Sequence, residues 1–179
     1  RSIVFPSIRN RRQHRVPLLV SIILPAYRAR ATLPRAVDSL LRQSWTSWEA
    51  VIASDDGEDY LARLADAGLR DPRLRQVSTG AVGSGDGPAR TCALQAARGD
   101  FVATLDADDA FAADRLERLL PLARAGGAAV DNTQVFDEQG RPYKVPFPAA
   151  AADFAMTAAE ILGPRGPFFP VADRRYLPG

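Results

Sequence analysis

Residues 20–60, "VSIILPAYRARATLPRAVDSLLRQSWTSWEAVIASDDGEDY", set two short apolar runs on either side of a helical pattern. The first run, "LLVSIIL" at 18–24, is rich in β-branched residues and reads as a buried strand. Pro25 closes it and "AYRARAT" makes the turn. "LPRAVDSLLRQS", 33–44, then puts Leu33, Val37, Leu40 and Leu41 on one side and Arg35, Asp38 and Arg42 on the other, an amphipathic helix. Thr32 is placed to cap it and Pro34 suits its first turn. "WEAVIAS", 48–54, is the second strand, stopped by Asp55-Asp56-Gly57.

The same alternation continues outward. "DYLARLADAGL", 59–69, reads as a helix that Gly68 closes, and residues 74–79 read as a third strand. "PARTCALQAARG", 88–99, is a helix from Pro88 to Gly99, and "FVATL", 101–105, is the fourth strand. "AADRLERLLPLARAG", 112–126, is a helix with Leu116, Leu119 and Leu120 inward, followed by a fifth strand over 128–137. Beyond that, "VPFPAAAADF" and "GPRGPFFP" carry too much proline for regular structure, with "TAAEIL", 157–162, a short helix between them. Strands alternating with helices predict an α/β fold, a mostly parallel central sheet with flanking helices.

Charge separates the N-terminus from the body. The net charge is +2, but residues 1–15 hold five arginines and no acid, so the remainder carries −3. The basic arm, 1–16, reads as a solvated segment, one that allows peripheral contact with an anionic membrane. No nucleic-acid partner is expected, since zinc-finger spacing and aromatic platforms among basic residues are lacking. The only cysteine is Cys92 and the only histidine is His14, within the arm. An internal disulfide and a thiolate metal cluster are thereby excluded, and a Ser/His/Asp or Cys/His centre is disfavoured. The apolar run at 17–27 is about half a membrane span, so no transmembrane helix is expected and the localisation read is cytoplasmic.

In open α/β sheets, ligands gather at the carboxyl ends of the strands. Three polar loops fall there: Tyr27 and Arg28, Asp55 and Asp56, and Asp106 to Asp109 in "ATLDADDAF". Asp106 and Asp108 flank one small residue and suit a hard divalent cation, with water and phosphate oxygens as further ligands. Solvated caps and turns are the alternative for this cluster, and Asp109 is placed to cap the next helix. Arg90, early in its helix, opposes the helix dipole, which an anionic neighbour or ligand would explain. The loop "TGAVGSGDG" has neither a Walker lysine nor a GxGxxG pattern, which disfavours a P-loop or Rossmann site.

Three ordered blocks, residues 20–60, "GPARTCALQAARGDFVATLDADD" at 87–109 and "DRLERLL" at 114–120, resemble the nucleotide-sugar-binding half of family 2 glycosyltransferases, which have the GT-A fold. The resemblance implies that Pro25, Ala26 and Tyr27 lie beside the nucleoside and that Asp56 accepts a hydrogen bond from the base. It further implies Arg90 near base and phosphate, Asp106 near the ribose or the metal, and Asp108 on the metal, manganese or magnesium. The implied activity is metal-dependent, inverting transfer of a sugar from a nucleotide diphosphate sugar to a hydroxyl of a sugar, polysaccharide or lipid-linked acceptor. A nucleotidyltransferase of related fold and a non-catalytic donor-binding or interaction domain stay open as alternatives. Arg28, Glu58, Thr91 and Ala113 depart from the family's usual asparagine, serine, asparagine and proline. The acceptor-side base normally follows a segment like "FFPVADRRYLPG", so the chain is expected to be incomplete at its C-terminus. Asp153, Glu160 and Asp173 are available carboxylates, but none sits in the family's acidic pair, and no catalytic base is assigned. The expected divisions are the arm at 1–16, a nucleotide-sugar-binding domain at 17–137, and the start of an acceptor-side region at 138–179.

Overall fold

The computed structural model describes residues 18–137, 139–144 and 170–176. Four parallel strands form its centre: β1 (Val20–Ala26), β2 (Trp48–Ser54), β3 (Leu74–Ser78) and β4 (Phe101–Thr104). The sheet runs β3-β2-β1-β4-β8-β5, where β5 (Ala128–Ala129) and β8 (Val171–Asp173) extend it beyond β4. Both β4 and β5 pair with β8 in antiparallel register. The expected mostly parallel sheet is therefore present, and β1 borders β2 and β4.

Period-two alternation sorts the side chains into two layers. Val20, Ile22 and Leu24 of β1 and Trp48, Ala50 and Ile52 of β2 meet α1 (Leu33–Leu41), α2 (Tyr60–Asp66) and α4 (Arg115–Gly126) in the larger core. Ile23, Val51 and Ala53 point the other way, onto α3 (Asp86–Ala96), which packs through Ala89 and Ala93. Alanines let that helix lie close to the sheet. Gly99, just after it, is required by contact: a Cβ there would stand 2.7 Å from both the Leu19 carbonyl and the Ser21 nitrogen. A buried polar knot fixes the same junction. Glu49 accepts from Ser21 Oγ at 2.8 Å, Arg98 N–H at 2.7 Å and Arg75 Nη1 at 2.8 Å. Burial pushes the Glu49 carboxyl up, and these three donors more than reverse it.

Pro25 sits inside a central strand without breaking a ladder. The Ile23 carbonyl accepts from Leu105 N–H and the Ala26 carbonyl from Asp55 N–H, so odd residues face β4 and even residues face β2. The missing N–H of Pro25 falls one step past the last residue pair of β1 and β4.

Several expectations need correction. The strand expected over 128–137 is divided: β5 joins the main sheet, while β6 (Val135–Phe136) pairs with β7 (Pro142–Lys144) in a separate ribbon. The polar "DNTQ" between them has no alternating apolar face to hold it in the sheet. Asp109 does not cap α4: the helix begins at Arg115 with Asp114 at the cap position. α3 begins at Asp86, two residues before Pro88, so Arg90 lies in its second turn. Thr32 and Asp59 occupy the caps of α1 and α2, and the Asp59 carboxylate accepts from Ala62 N–H at 3.0 Å. The helix read at 157–162 lies outside the described residues.

Candidate functional site

The carboxyl ends of β1, β2 and β4 bring three loops together. On β1, Pro25 and Ala26 are buried, and the next side chain, Tyr27, stands 45% exposed. A Cβ on Gly83 would lie 3.7 Å from the Tyr27 hydroxyl, so the glycine-rich loop flanks this ring. Arg28 adopts a left-handed backbone, φ 52°, and stacks its guanidinium 5.1 Å from the Tyr27 ring centre.

Asp55 and Asp56 divide the labour after β2. Asp55 is buried and holds the glycine-rich loop, accepting from Thr79 Oγ1 at 2.8 Å, Gly85 N–H at 2.9 Å and Ser84 Oγ. The Ser84 bond is the main reason its carboxyl falls to about 2. Asp56 Oδ2 accepts from Arg28 N–H at 2.7 Å and Tyr60 Oη at 2.8 Å. Its Oδ1 accepts from Glu58 N–H at 3.1 Å and Ser54 Oγ at 3.2 Å. Desolvation alone would raise the Asp56 carboxyl, yet these donors leave it below its ordinary value. Glu58 is drawn down by Arg63 and Arg30, which bracket it.

After β4, Arg90 Nη2 donates to Asp106 Oδ1 at 2.7 Å, and Asp86 lies 3.5 Å from the same guanidinium nitrogen. The anionic neighbours that explain Arg90 are thus Asp106 and Asp86. Arg35, on α1, donates to the Asp108 carbonyl. The tract after this acidic turn is tied to α1 and the residues just past its end: Ser39 Oγ accepts from Phe111 N–H at 3.0 Å, and Gln43 Nε2 donates to the Ala112 carbonyl at 2.7 Å. Asp109 keeps a solvent-exposed surface, but desolvation on its packed side and the charges of Asp108 and Asp106 push its carboxyl up. Negative charge is concentrated at this turn.

Every residue singled out at the three loops is therefore on one edge of the sheet. Asp173 is not: it pairs with Phe101 at the opposite end of β4 and is held by Arg175. Asp153 and Glu160 lie outside the described residues. Among the described residues, no group of three or more His, Cys, Asp or Glu is arranged to hold a metal ion. A magnesium-type site takes as few as one or two carboxylates from the protein and completes its shell with phosphate and water; the acidic turn carries Asp106, bonded to Arg90, and the exposed Asp108.

Residues 21–167 match the model of glycosyl transferase family 2. The chain belongs to glycosyl transferase family 2. Within this family 2 context, the succinoglycan biosynthesis protein ExoO of Rhizobium meliloti is 37% identical over 128 residues, 70% of this chain and 36% of that protein. The Escherichia coli UDP-Glc:alpha-D-GlcNAc-diphosphoundecaprenol beta-1,3-glucosyltransferase WfgD is 37% identical over 99 residues, 55% of this chain and 38% of that protein. This family 2 chain thus spans little more than a third of the length of those two relatives. Two solved structures share its GT-A-like fold at a TM-score of 0.55. S. aureus TarS, in complex with UDP, is 23% identical and matches over 63% of this chain and 34% of its own. The mannosyltransferase PcManGT of Pyrobaculum calidifontis, in complex with GDP-Man and Mn2+, is 22% identical over 67% and 36%.

Proposed function

We propose that this chain is the donor-binding part of an inverting glycosyltransferase that moves a sugar from a nucleotide diphosphate sugar to an acceptor hydroxyl. The observation behind this reading is the convergence of Tyr27, Asp56, Arg90 and the Asp106–Asp108 turn on one sheet edge in a family 2 chain.

Pro25, Ala26 and Tyr27 form the wall beside the nucleoside, with the exposed Tyr27 ring as its apolar surface. Asp56 takes the N–H of the base. Its Oδ1 is the oxygen to share, because the bonds from Glu58 and Ser54 are longer than the two on Oδ2. Arg90 faces the nucleotide and holds Asp106 toward the ribose and the metal. A manganese or magnesium ion held by Asp108, with Asp106 in its shell, would act as a Lewis acid on the diphosphate leaving group. Arg35 and the α1 contacts keep the acidic turn in place for that role. Asp173 is on the wrong edge to serve as acceptor base, and no other described carboxylate is given that role.

Sugar, polysaccharide and lipid-linked hydroxyls are the acceptor classes this reading allows, a range that includes the lipid diphosphate named for WfgD. No described helix is long and apolar enough to cross a membrane. A cytoplasmic enzyme touching the inner membrane face through its basic arm is the placement we propose. A nucleotidyltransferase would want a glycine-rich loop after β1, and residues 25–32 contain no glycine.

Calorimetry of uridine, guanosine and thymidine diphosphate, each with manganese and then with chelator, tests the proposal. At least one should bind, and tenfold or more weaker once the ion is removed. Equal affinity in both conditions overturns the metal assignment. Failure of all three to bind overturns the donor reading.

A further inference from the structure

We propose that Tyr60 is a positioning residue of the donor site, holding Asp56 and the β1–α1 loop in one arrangement; the inference rests on the donor-binding reading. The Tyr60 ring is fully buried in the larger core, at the start of α2. Packing alone would be met by phenylalanine. The hydroxyl does something further: it donates to Asp56 Oδ2 at 2.8 Å and accepts from Ala29 N–H at 3.0 Å. Arg28 N–H donates to the same Oδ2 at 2.7 Å. Two successive amides of the loop after β1 are thus tied, through one phenol and one carboxylate oxygen, to the loop after β2.

The loop needs this tie. Arg28 is the only non-glycine residue with positive φ among the described residues, and a side chain there is disfavoured unless its surroundings fix it. Tyr27 immediately precedes it, so the direction of the exposed ring follows from the backbone that Tyr60 and Asp56 pin down. Burial, helped by Asp56, pushes the phenol up to about 12, so the hydroxyl keeps its proton at neutral pH. One hydroxyl therefore orients both groups that face the nucleoside. The acidic turn is held by different partners, Arg90 and Arg35, and shares no bond with Tyr60.

That separation gives the test. Tyr60→Phe keeps the ring and removes the hydroxyl. Its affinity for whichever of uridine, guanosine or thymidine diphosphate the wild-type chain binds best, with magnesium, should fall about tenfold. Affinity for magnesium pyrophosphate, which lacks a nucleoside, should stay within about twofold. In a double-mutant cycle with Asp56→Asn, the two losses in nucleotide affinity should be less than additive, since both break the same bond. Unchanged nucleotide affinity overturns the role of Tyr60. Equal loss for nucleotide and pyrophosphate also overturns it, because a general loosening of the fold would act on both. If the wild-type chain binds pyrophosphate but no nucleotide, the donor reading fails, and this inference with it.

Discussion

At the scale of single residues, the acidic turn contains two kinds of aspartate that one run of letters does not tell apart. Asp108 offers its carboxylate outward while its carbonyl is held by Arg35. Asp109 is pushed up by desolvation and by its two neighbours, and it caps no helix. Asp108→Asn should therefore weaken metal-dependent nucleotide binding by about tenfold or more, since a charged partner is lost. Asp109→Asn should leave that binding largely intact and raise the thermal midpoint without metal, because it removes one of several crowded negative charges. Scanning fluorimetry with and without manganese and nucleotide reads both effects, and a reversed pattern would exchange the two assignments. The carboxylates at the ends of strands were legible in the sequence because their position after apolar runs put them on one edge. Tyr60, Arg35, Ser39 and Gln43 were not. Each acts across loops or elements distant in sequence, and within its own segment each looks like an ordinary core, surface or polar position.

At the scale of elements, the apolar patterns of β1, α1, β2 and β4 are strong enough that their type and approximate bounds follow from sequence alone, while α2 has a weaker pattern. The short strands do not, because two or three residues carry no period. β8, "VAD", is made a strand by the edges it fills, not by its own composition. The junction between α3 and β4 is only half legible in the sequence: the pattern marks Gly99 as a helix end, whereas its main role is contact. Gly99→Ala would drive a methyl group against backbone on β1 that cannot turn aside as a side chain would. The variant should lose about 1–3 kcal/mol of stability, the usual range for overpacking. Urea denaturation would measure it, and a change below about 0.5 kcal/mol, the scatter typical of surface substitutions, would show that the junction can relax.

At the scale of the whole molecule, the carboxyls whose values move downward share a direction: Glu49, Asp55, Asp56, Glu58, Asp71, Asp137 and Asp173. A carboxyl lower in the folded than in the unfolded chain adds stability above its unfolded value, and that stability is lost as pH falls through the folded one. For Asp55 this window runs from 3.8 down to about 2. Stability should accordingly fall steeply below about pH 4, and Asp55→Asn should be less stable than wild type at pH 6 with the gap closing near pH 2. Denaturation midpoints across that range test it, and a constant gap would mean that the Asp55 bonds do not depend on its charge. The insertion of β8 between β4 and β5 bears on a different matter, the order in which the chain is made. The four parallel strands leave the ribosome well before residue 171, so the outer side of β4 waits with its N–H and C=O groups unpaired. An open edge of that kind recruits whatever strand arrives first, including one from a neighbouring nascent chain. Until β8 has emerged from the ribosome that edge stays open to mispairing, and the three residues of β8 close it.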